Sequence, residues 1–333
     1  MRVYFDKKNI ASFFASSSHI AFQDCLRMIK SQCDIYFTFP KEIFANPPYN
    51  LILNQLSSGR SVSSKPQFIG LFPPRPLKSN VHKGFDRDEL TAAYLIDDEK
   101  IETVKRVGAV LVGAPGEEID TLSNLFYDDY QYTTSFTPKK DMPSWDVLSS
   151  IIQPCSDIII IDRFLFGEQD LIEYNLHPFL KVISINSVEK KFNLVIFTDP
   201  VQQIKINGKI ESVKPDWNKM RANIINYFKK IDNRSAVNVT IIASREIGEH
   251  DRSIFMNYAN HSSGDSLNYY DSQGRIITNG RHYTIYSHGL RQNLDNGYSI
   301  IDDMQNIIDK ISSPQKKDAI FGDKECNFLK FPD

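Results

Sequence analysis

The sequence lacks the features that mark zinc proteins, secreted proteins and membrane proteins. It has only four cysteines, no two of them in Cys-x-x-Cys spacing, so a zinc site is not expected. Scattered thiols fit a reducing cytosol. The longest apolar runs are far shorter than the roughly 20 residues that cross a bilayer. The N-terminal "MRVYFDKKNI" has no basic segment followed by an apolar one, so no signal peptide is expected. We therefore predict a cytoplasmic protein without membrane contact.

An excess of charge of one sign is also missing. Lys and Arg number 39 against 41 for Asp and Glu, a net charge of −2. The whole chain thus lacks the basic character of many nucleic-acid binders, although a local basic patch stays open. "GAPGEE" (113–118) has two glycines but no following Lys-Ser/Thr, so it is not a Walker loop. No cofactor is predicted. The apolar fraction, 41%, is enough for a sizeable core.

Strands and helices alternate in the second half of the sequence. A continuous β-branched run such as "DIIIID" is typical of a strand buried on both faces. A helix is expected in "EQDLIEYNLHPFLKVI", interrupted near Pro178, and another in "PDWNKMRANIINYFKKI". This alternation, followed by a meander, predicts an α/β sandwich with a mixed sheet. The further predicted strands are "FNLVIFTD", "AVNVTIIAS", "RSIFMNY", "LNYYD" and "RHYTIYS".

The first half also reads as α/β, so the chain is expected to form two modules. "RVYFD" and "DIYFTF" predict strands, with a helical pattern between them. The polar, proline-containing "TSFTPKKDMPSWDVL" is the candidate boundary. We predict an N-terminal α/β domain of unassigned function over residues 1–145, a second α/β domain over 150–312, and a C-terminal tail over 313–333.

One spacing in the second half carries a chemical signal. His250, Arg252 and Asn257 form the pattern His-x-Arg-x4-Asn, and Gly264 and Ser266 follow it. This pattern resembles the signature of the phospholipase D superfamily, His-x-Lys-x4-Asp-x6-Gly-Ser/Gly. The "HDR" within it also resembles the non-catalytic phospholipase D-like domains at the C-terminus of some membrane-trafficking proteins.

The segment "DIIIIDRFLF" adds to the resemblance, because it is similar to a strand end of the phospholipase D fold. It contains Asp162 and Arg163, which are expected to support the site. Ligands of open α/β sheets lie outside the carboxyl ends of the strands, and these two residues follow such a strand. The resemblance covers about residues 157–288 and implies a phospholipase D-like α/β sandwich.

The resemblance implies a chemistry for each motif residue. His250 would be the nucleophile that attacks phosphorus. Arg252 would clamp the phosphate, and alternation along a strand would put both side chains on one face. Asn257 would support catalysis in place of the usual aspartate. Gly264 and Ser266 would bind phosphate from their turn. No metal is required by this chemistry.

Three alternatives remain open for this motif. The superfamily uses two copies, and the other six histidines lack a basic residue two positions on. A single motif can still form the site across a two-fold axis, as in a homodimeric, metal-independent nuclease or phosphodiesterase. The second alternative is a protein that binds nucleic acid or a protein partner without turnover. It is favoured because the Lys and Asp of the superfamily signature are missing from this motif. By analogy, its biological setting would be bacterial defence. The third alternative is an ordinary strand end. The six histidines are His19, His82, His177, His261, His282 and His288.

Two weaker signals lie in the first half. Acidic residues at predicted strand ends (Asp6, Asp34, Asp97 and Asp98) are the alternative for a Mg²⁺-dependent nuclease. The stretch 75–87 is the most basic part of the chain and is a candidate backbone-tracking loop, although such stretches are commonly just solvated.

Overall fold

The computed structural model divides the chain into two compact units. Unit 1 comprises Met1–Tyr132 and Ser287–Leu294, and unit 2 comprises Thr133–Tyr286 and Asp295–Asp333. The residues described are 1–18, 20–37, 39–58, 86–95, 110–112, 132–150, 155–167, 172–186, 191–206, 209–231, 236–248, 252–277, 282–312 and 319–332. The basic stretch 75–87, except for 86 and 87, and the "GAPGEE" segment lie outside them.

Unit 1 is built on a four-stranded sheet of order β2-β1-β3-β4, with all described pairs parallel. Its centre is aromatic, since the ring of Tyr4 stacks on Tyr94 at 4.8 Å and on Tyr36 at 5.0 Å. The predicted strands "RVYFD" and "DIYFTF" are both present. The elements are β1 (Arg2–Phe5), α1 (Lys7–Ala15), α2 (Ile20–Gln32), β2 (Asp34–Phe37), a 3-10 turn (Lys41–Ala45), α3 (Tyr49–Ser57), α4 (Arg87–Leu90), β3 (Ala93–Leu95) and β4 (Val110–Val112).

Unit 2 contains the longer strands and helices, although Ser287 of β13 and residues 291–294 of α8, both given below, belong to unit 1. Its central strand β6 is buried along its whole length, as the β-branched run predicts. The elements are β5 (Thr133–Phe136), α5 (Pro138–Asp141), a 3-10 turn (Trp145–Ser150), β6 (Asp157–Ile161), a π-helical turn (Ile172–Leu176), α6 (His177–Asn186), β7 (Lys191–Thr198), β8 (Gln202–Ile206), β9 (Lys209–Val213), α7 (Trp217–Ile231), β10 (Ala236–Ala243), β11 (Ser253–Met256), β12 (Ala259–Ser263), β13 (Tyr283–Ser287), α8 (Arg291–Ile311) and β14 (Ile320–Gly322).

The sheet of unit 2 has eight strands and mixed direction, in the order β14-β10-β7-β6-β11-β12-β13-β5. Strands β6, β7 and β10 are parallel, whereas β11 runs antiparallel to β6. From β6 the chain moves outward through β7 to β10 and then returns to form β11 on the other side of β6. The expected mixed α/β architecture is therefore confirmed, and β6 lies where the winding reverses direction.

Three segments differ from their sequence predictions. The candidate boundary "TSFTPKKDMPSWDVL" lies in unit 2, because β5 within it pairs with β13. Part of the predicted tail is a sheet strand, since β14 pairs with β10. "LNYYD" is not a strand; its Tyr270 forms a single bridge with Ile276, and its neighbour Tyr269 is fully buried against Trp145.

In the part of the chain that the structure describes, no helix has both the length and the apolar composition to cross a membrane.

Candidate functional site

The predicted supporting residues and Arg252 lie at the same edge of the unit 2 sheet. In the β6–β11 pairing, Ile161 is opposite Ser253, so Asp162 just after β6 and Arg252 just before β11 are neighbours. The ladder continues past β6, since the Asp162 N–H donates to the carbonyl of Phe197. The antiparallel pairing thus sets two polar segments, distant in sequence, side by side.

Asp162 is the buried centre of this cluster, with 1% of its surface exposed. Its carboxylate accepts hydrogen bonds from the Ser266 hydroxyl (2.6 Å), the Leu267 N–H (2.9 Å) and the Phe164 N–H (3.0 Å). Burial raises the pKa of Asp162, while these donors and the charge of Arg252 act in the opposite direction. The carboxylate therefore ties the loop after β12 to the end of β6.

Two guanidinium groups lie close to one aromatic ring beside Asp162. The guanidinium carbons of Arg163 and Arg252 each lie 5.7 Å from the centre of the Phe164 ring, within cation–π distance. Arg163 also pairs with Asp199 at 2.8 Å, and Arg252 donates to the carbonyl of Gly264 at 3.0 Å. Two positive charges from different strands are thereby brought to one place.

Each guanidinium keeps donors beyond these contacts. Arginine has five N–H donors in a planar fork that matches phosphate oxygens. Among the described residues, Arg252 donates to one protein acceptor and Arg163 to one, and the Nε of Arg163 is buried without a partner. The space behind the cluster, lined by Asp162, His261 and Tyr283 among others, is too small for a water molecule. An anion would therefore meet these groups from the outer edge of the sheet.

The predicted phosphate-binding turn has a different role in the structure. The N–H of Gly264 donates to the carbonyl of His282, and its own carbonyl accepts from Arg252. The hydroxyl of Ser266 is committed to Asp162. The expectation that Gly264 offers its N–H to a phosphate is corrected accordingly, because the turn positions Arg252 and Asp162.

Asn257 is not brought together with Arg252. The two residues are at opposite ends of β11, about 16 Å apart at about 3.3 Å per residue. Asn257 is fully buried; its Oδ1 accepts from the Ser156 N–H at 2.9 Å and its Nδ2 donates to the Ser156 hydroxyl at 3.1 Å. The expected catalytic role of Asn257 beside Arg252 has no geometric support, since this amide instead holds the start of β6.

His250, the predicted nucleophile, and Asp251 lie outside the described residues. The expectation that the His250 and Arg252 side chains share one face stays a prediction. Sequence reasoning missed Phe164 and Asp199, which orient the two arginines. Phe164 directly follows Asp162 and Arg163 in "DRFLF", and Asp199 ends "FNLVIFTD". Both residues come at the carboxyl ends of predicted parallel strands, and that position is the sequence signal that could have identified them.

The Mg²⁺ alternative concerned acidic residues of the first half. Asp34 forms an ion pair with Arg291 at 2.8 Å, and Asp6 is 5% exposed. Within the described residues, no three His, Cys, Asp or Glu side chains form a group that could hold a metal ion. Asp97 and Asp98 are outside those residues.

No protein-family model matches the sequence, and no curated protein is similar to it at a meaningful level.

A separate cavity of about 590 Å³ lies between the π-helical turn and α7. His177 lines it, with its ring stacked on Tyr227 at 3.9 Å and its Nε2 buried without a partner among the described residues. Burial, with the charge of Lys230, lowers the pKa of His177 to about 4. The ring is thus neutral in the folded protein at neutral pH.

His177 gives a pH-dependent prediction. Its folded pKa is below the unfolded value of about 6.5, so the unfolded chain binds more protons between pH 6.5 and 4. The contribution of His177 to the free energy of unfolding is fully present above pH 6.5 and is lost as the pH falls to 4. The loss should be roughly 1–2 kcal/mol, because solvent near the ring reduces the effect of burial. In His177→Phe, we expect a shallower decline of unfolding free energy over this range. Urea titrations at several pH values measure the unfolding free energy of both proteins. An equal decline with falling pH in His177→Phe and in wild type would contradict this prediction.

Proposed function

We propose that unit 2 is a phospholipase D-like module that binds phosphodiesters, and nucleic acid in particular, without hydrolysing them. Arg163 and Arg252 are the phosphate-binding residues. Phe164, Asp199 and the turn containing Gly264 and Ser266 position them. The protein acts in the cytoplasm, in keeping with its scattered cysteines.

The proposal rests on the convergence of two guanidinium groups at the carboxyl end of β6. Ligands of open α/β sheets bind outside the carboxyl ends of strands, at the point where the winding changes direction. In unit 2 that point lies between β6 and β11, and Arg163 and Arg252 flank it. Planar guanidinium groups with spare donors bind phosphate oxygens in pairs.

Binding without turnover is favoured over hydrolysis by the position of Asn257. Asn257 lacks the carboxylate that would orient and polarise an imidazole, and it is buried at the far end of β11 from Arg252. A hydrolytic site in this superfamily also needs a second imidazole to protonate the leaving oxygen. In the competing function, a homodimeric phosphodiesterase, that imidazole would be a second copy of His250.

The binding function predicts a specific weakening in two arginine variants. Replacing Arg163 or Arg252 with alanine should weaken binding of a single-stranded oligonucleotide about 10-fold, since each removes a charged partner of a phosphate. The slope of log affinity against log salt should fall by about 0.7 for each phosphate that is no longer neutralised. Fluorescence anisotropy over a series of salt concentrations measures both quantities.

A matched control is Arg275→Ala. Arg275 is in the same unit, has 70% of its side chain exposed and pairs with Asp271 four residues earlier. It makes the same charge change and should leave affinity within twofold. If Arg163→Ala, Arg252→Ala and Arg275→Ala all bind the oligonucleotide with equal affinity, the phosphate-binding site lies elsewhere. If the wild-type protein hydrolyses the oligonucleotide in EDTA and His250→Ala does not, the phosphodiesterase replaces the binding protein.

A further inference from the structure

The edge of the sheet that carries Arg163 continues into a second basic site. The strands are in register at this edge, with Phe197 opposite both Ile161 and Ile242. The residues that follow β6, β7 and β10 therefore form one row. Asp199 pairs with Arg163 in that row, and the next residue, Pro200, lines a cavity of about 330 Å³.

This second cavity, which we call the β10 pocket, has cations from two elements. Lys214 follows β9 and Arg245 follows β10, and both residues are exposed. Neither forms an ion pair with another of the described residues. Glu246 also lines the pocket, but its carboxylate is 3.8 Å from Lys310. The full lining is Pro200, Lys214, Trp217, Ala243, Ser244, Arg245, Glu246, Ile311, Ala319 and Phe321.

One residue that lines the pocket carries a buried hydrogen-bond donor without an acceptor among the described residues. Trp217, the first residue of α7, is 3% exposed, and its indole N–H is buried with no acceptor among the described residues. A buried donor without a partner costs about 1–3 kcal/mol and calls for an explanation such as a ligand. The N-terminal end of α7 adds a partial positive charge on the same side.

The remaining walls of the pocket are apolar. Phe321, Ile311 and Pro200 face it together with the indole ring. Apolar walls with a few convergent donors and cations suit a ligand that has both a flat apolar part and an anionic part. A nucleotide has these two parts, a base and a phosphate.

We propose that the β10 pocket and the Arg163–Arg252 cluster are two subsites of one track for single-stranded nucleic acid. This inference rests on the proposed phosphodiester binding. From β11 to β10 the track crosses three strand spacings, about 14 Å. At about 3.4 Å per nucleotide of a stacked strand, that length is roughly four nucleotides.

A single strand fits this track better than a duplex. Phe164 is half-buried at the Arg163–Arg252 cluster, and a partly exposed aromatic ring can stack on a base that is not paired. The apolar walls of the β10 pocket likewise need a base free to leave its stack. A duplex keeps its bases inside and would use only the cations.

The test compares oligothymidylates of two and eight nucleotides, and an eight-base-pair duplex, by anisotropy. The wild-type protein should bind the eight-nucleotide strand at least 10-fold more tightly than the dinucleotide and more tightly than the duplex. In the double variant Lys214→Ala/Arg245→Ala, affinity for the longer strand should fall about 10-fold and its salt slope by about 1.4. Binding of the dinucleotide should change less than twofold.

The control is Lys209→Ala/Arg275→Ala, which removes two exposed charges of unit 2 outside both subsites. It should leave both affinities within twofold. Tighter duplex binding, or equal affinities of the Lys214/Arg245 variant and wild type for the longer strand, would overturn the two-subsite track alone. If no oligonucleotide binds at all, or Arg163→Ala and Arg252→Ala have no effect, the proposed function itself fails and the track fails with it.

Discussion

Replacing Asp162 with alanine should lower the free energy of unfolding of unit 2 by about 3–5 kcal/mol, because each buried donor left without its acceptor costs about 1–3 kcal/mol. The substitution removes the acceptor of three hydrogen bonds, from the Ser266 hydroxyl and from the N–H groups of Leu267 and Phe164. Leu267 is 2% exposed, so its N–H would have little access to water. Arg252 would also be deprived of the nearby negative charge.

Urea unfolding followed by tryptophan fluorescence measures this destabilisation selectively. The chain has two tryptophans, Trp145 and Trp217, and both belong to unit 2. Asp162→Asn is the graded control, because an amide oxygen can still accept from the Phe164 N–H but the amide nitrogen cannot accept from Leu267. Its destabilisation should be about 1–3 kcal/mol. If Asp162→Ala is destabilised by less than about 1 kcal/mol, Asp162 does not hold this edge of the sheet.

We expect the Asp162→Asn variant to bind oligonucleotides more weakly as well as to be less stable. Asp162 holds the turn whose Gly264 carbonyl accepts from Arg252, so weakening that hold should partly release Arg252 from its position beside Phe164. Asp162→Asn should therefore weaken oligonucleotide binding, although less than Arg252→Ala does. An ordinary strand-end ion pair would have no such effect on binding.

The strands of unit 2 could be predicted because their signals are local. β6 and β7 each contain a continuous apolar run, IIII and LVIF, and β6 is buried at every position. The neighbourhood of Asp162 and Arg252 could be anticipated only through the family resemblance. Those two residues are 90 positions apart in the sequence, and their proximity is set by the antiparallel register of β6 and β11.

Other parts of the site could not be read from spacing. The pattern His-x-Arg-x4-Asn places its members close in sequence, but a strand separates its ends by about 3.3 Å per residue. Asn257 therefore reaches Ser156, at the far end of β6, instead of Arg252. The β10 pocket was missed because Lys214, Trp217 and Arg245 come from three segments with no shared motif.

Asn257→Asp should be strongly destabilising, although it restores the aspartate of the superfamily signature. The new carboxylate would be buried next to Asp157, and both positions are 0% exposed. It would lack the donor that now reaches the Ser156 hydroxyl, which already donates to Asp157 at 2.6 Å. Burying an unpaired charge beside a like charge should cost about 3 kcal/mol or more. Urea unfolding at neutral pH, read by tryptophan fluorescence, gives the difference.

The control for this substitution is Asn226→Asp, the same chemical change at an exposed position of α7. It should change stability by less than about 0.5 kcal/mol. Lowering the pH towards about 4 should narrow the difference in unfolding free energy between Asn257→Asp and wild type, because protonation removes the buried charge. A variant as stable as wild type that also gains EDTA-resistant phosphodiester hydrolysis would contradict this and would support a catalytic role for position 257. Destabilisation without hydrolysis is the outcome expected of an amide that secures the start of β6.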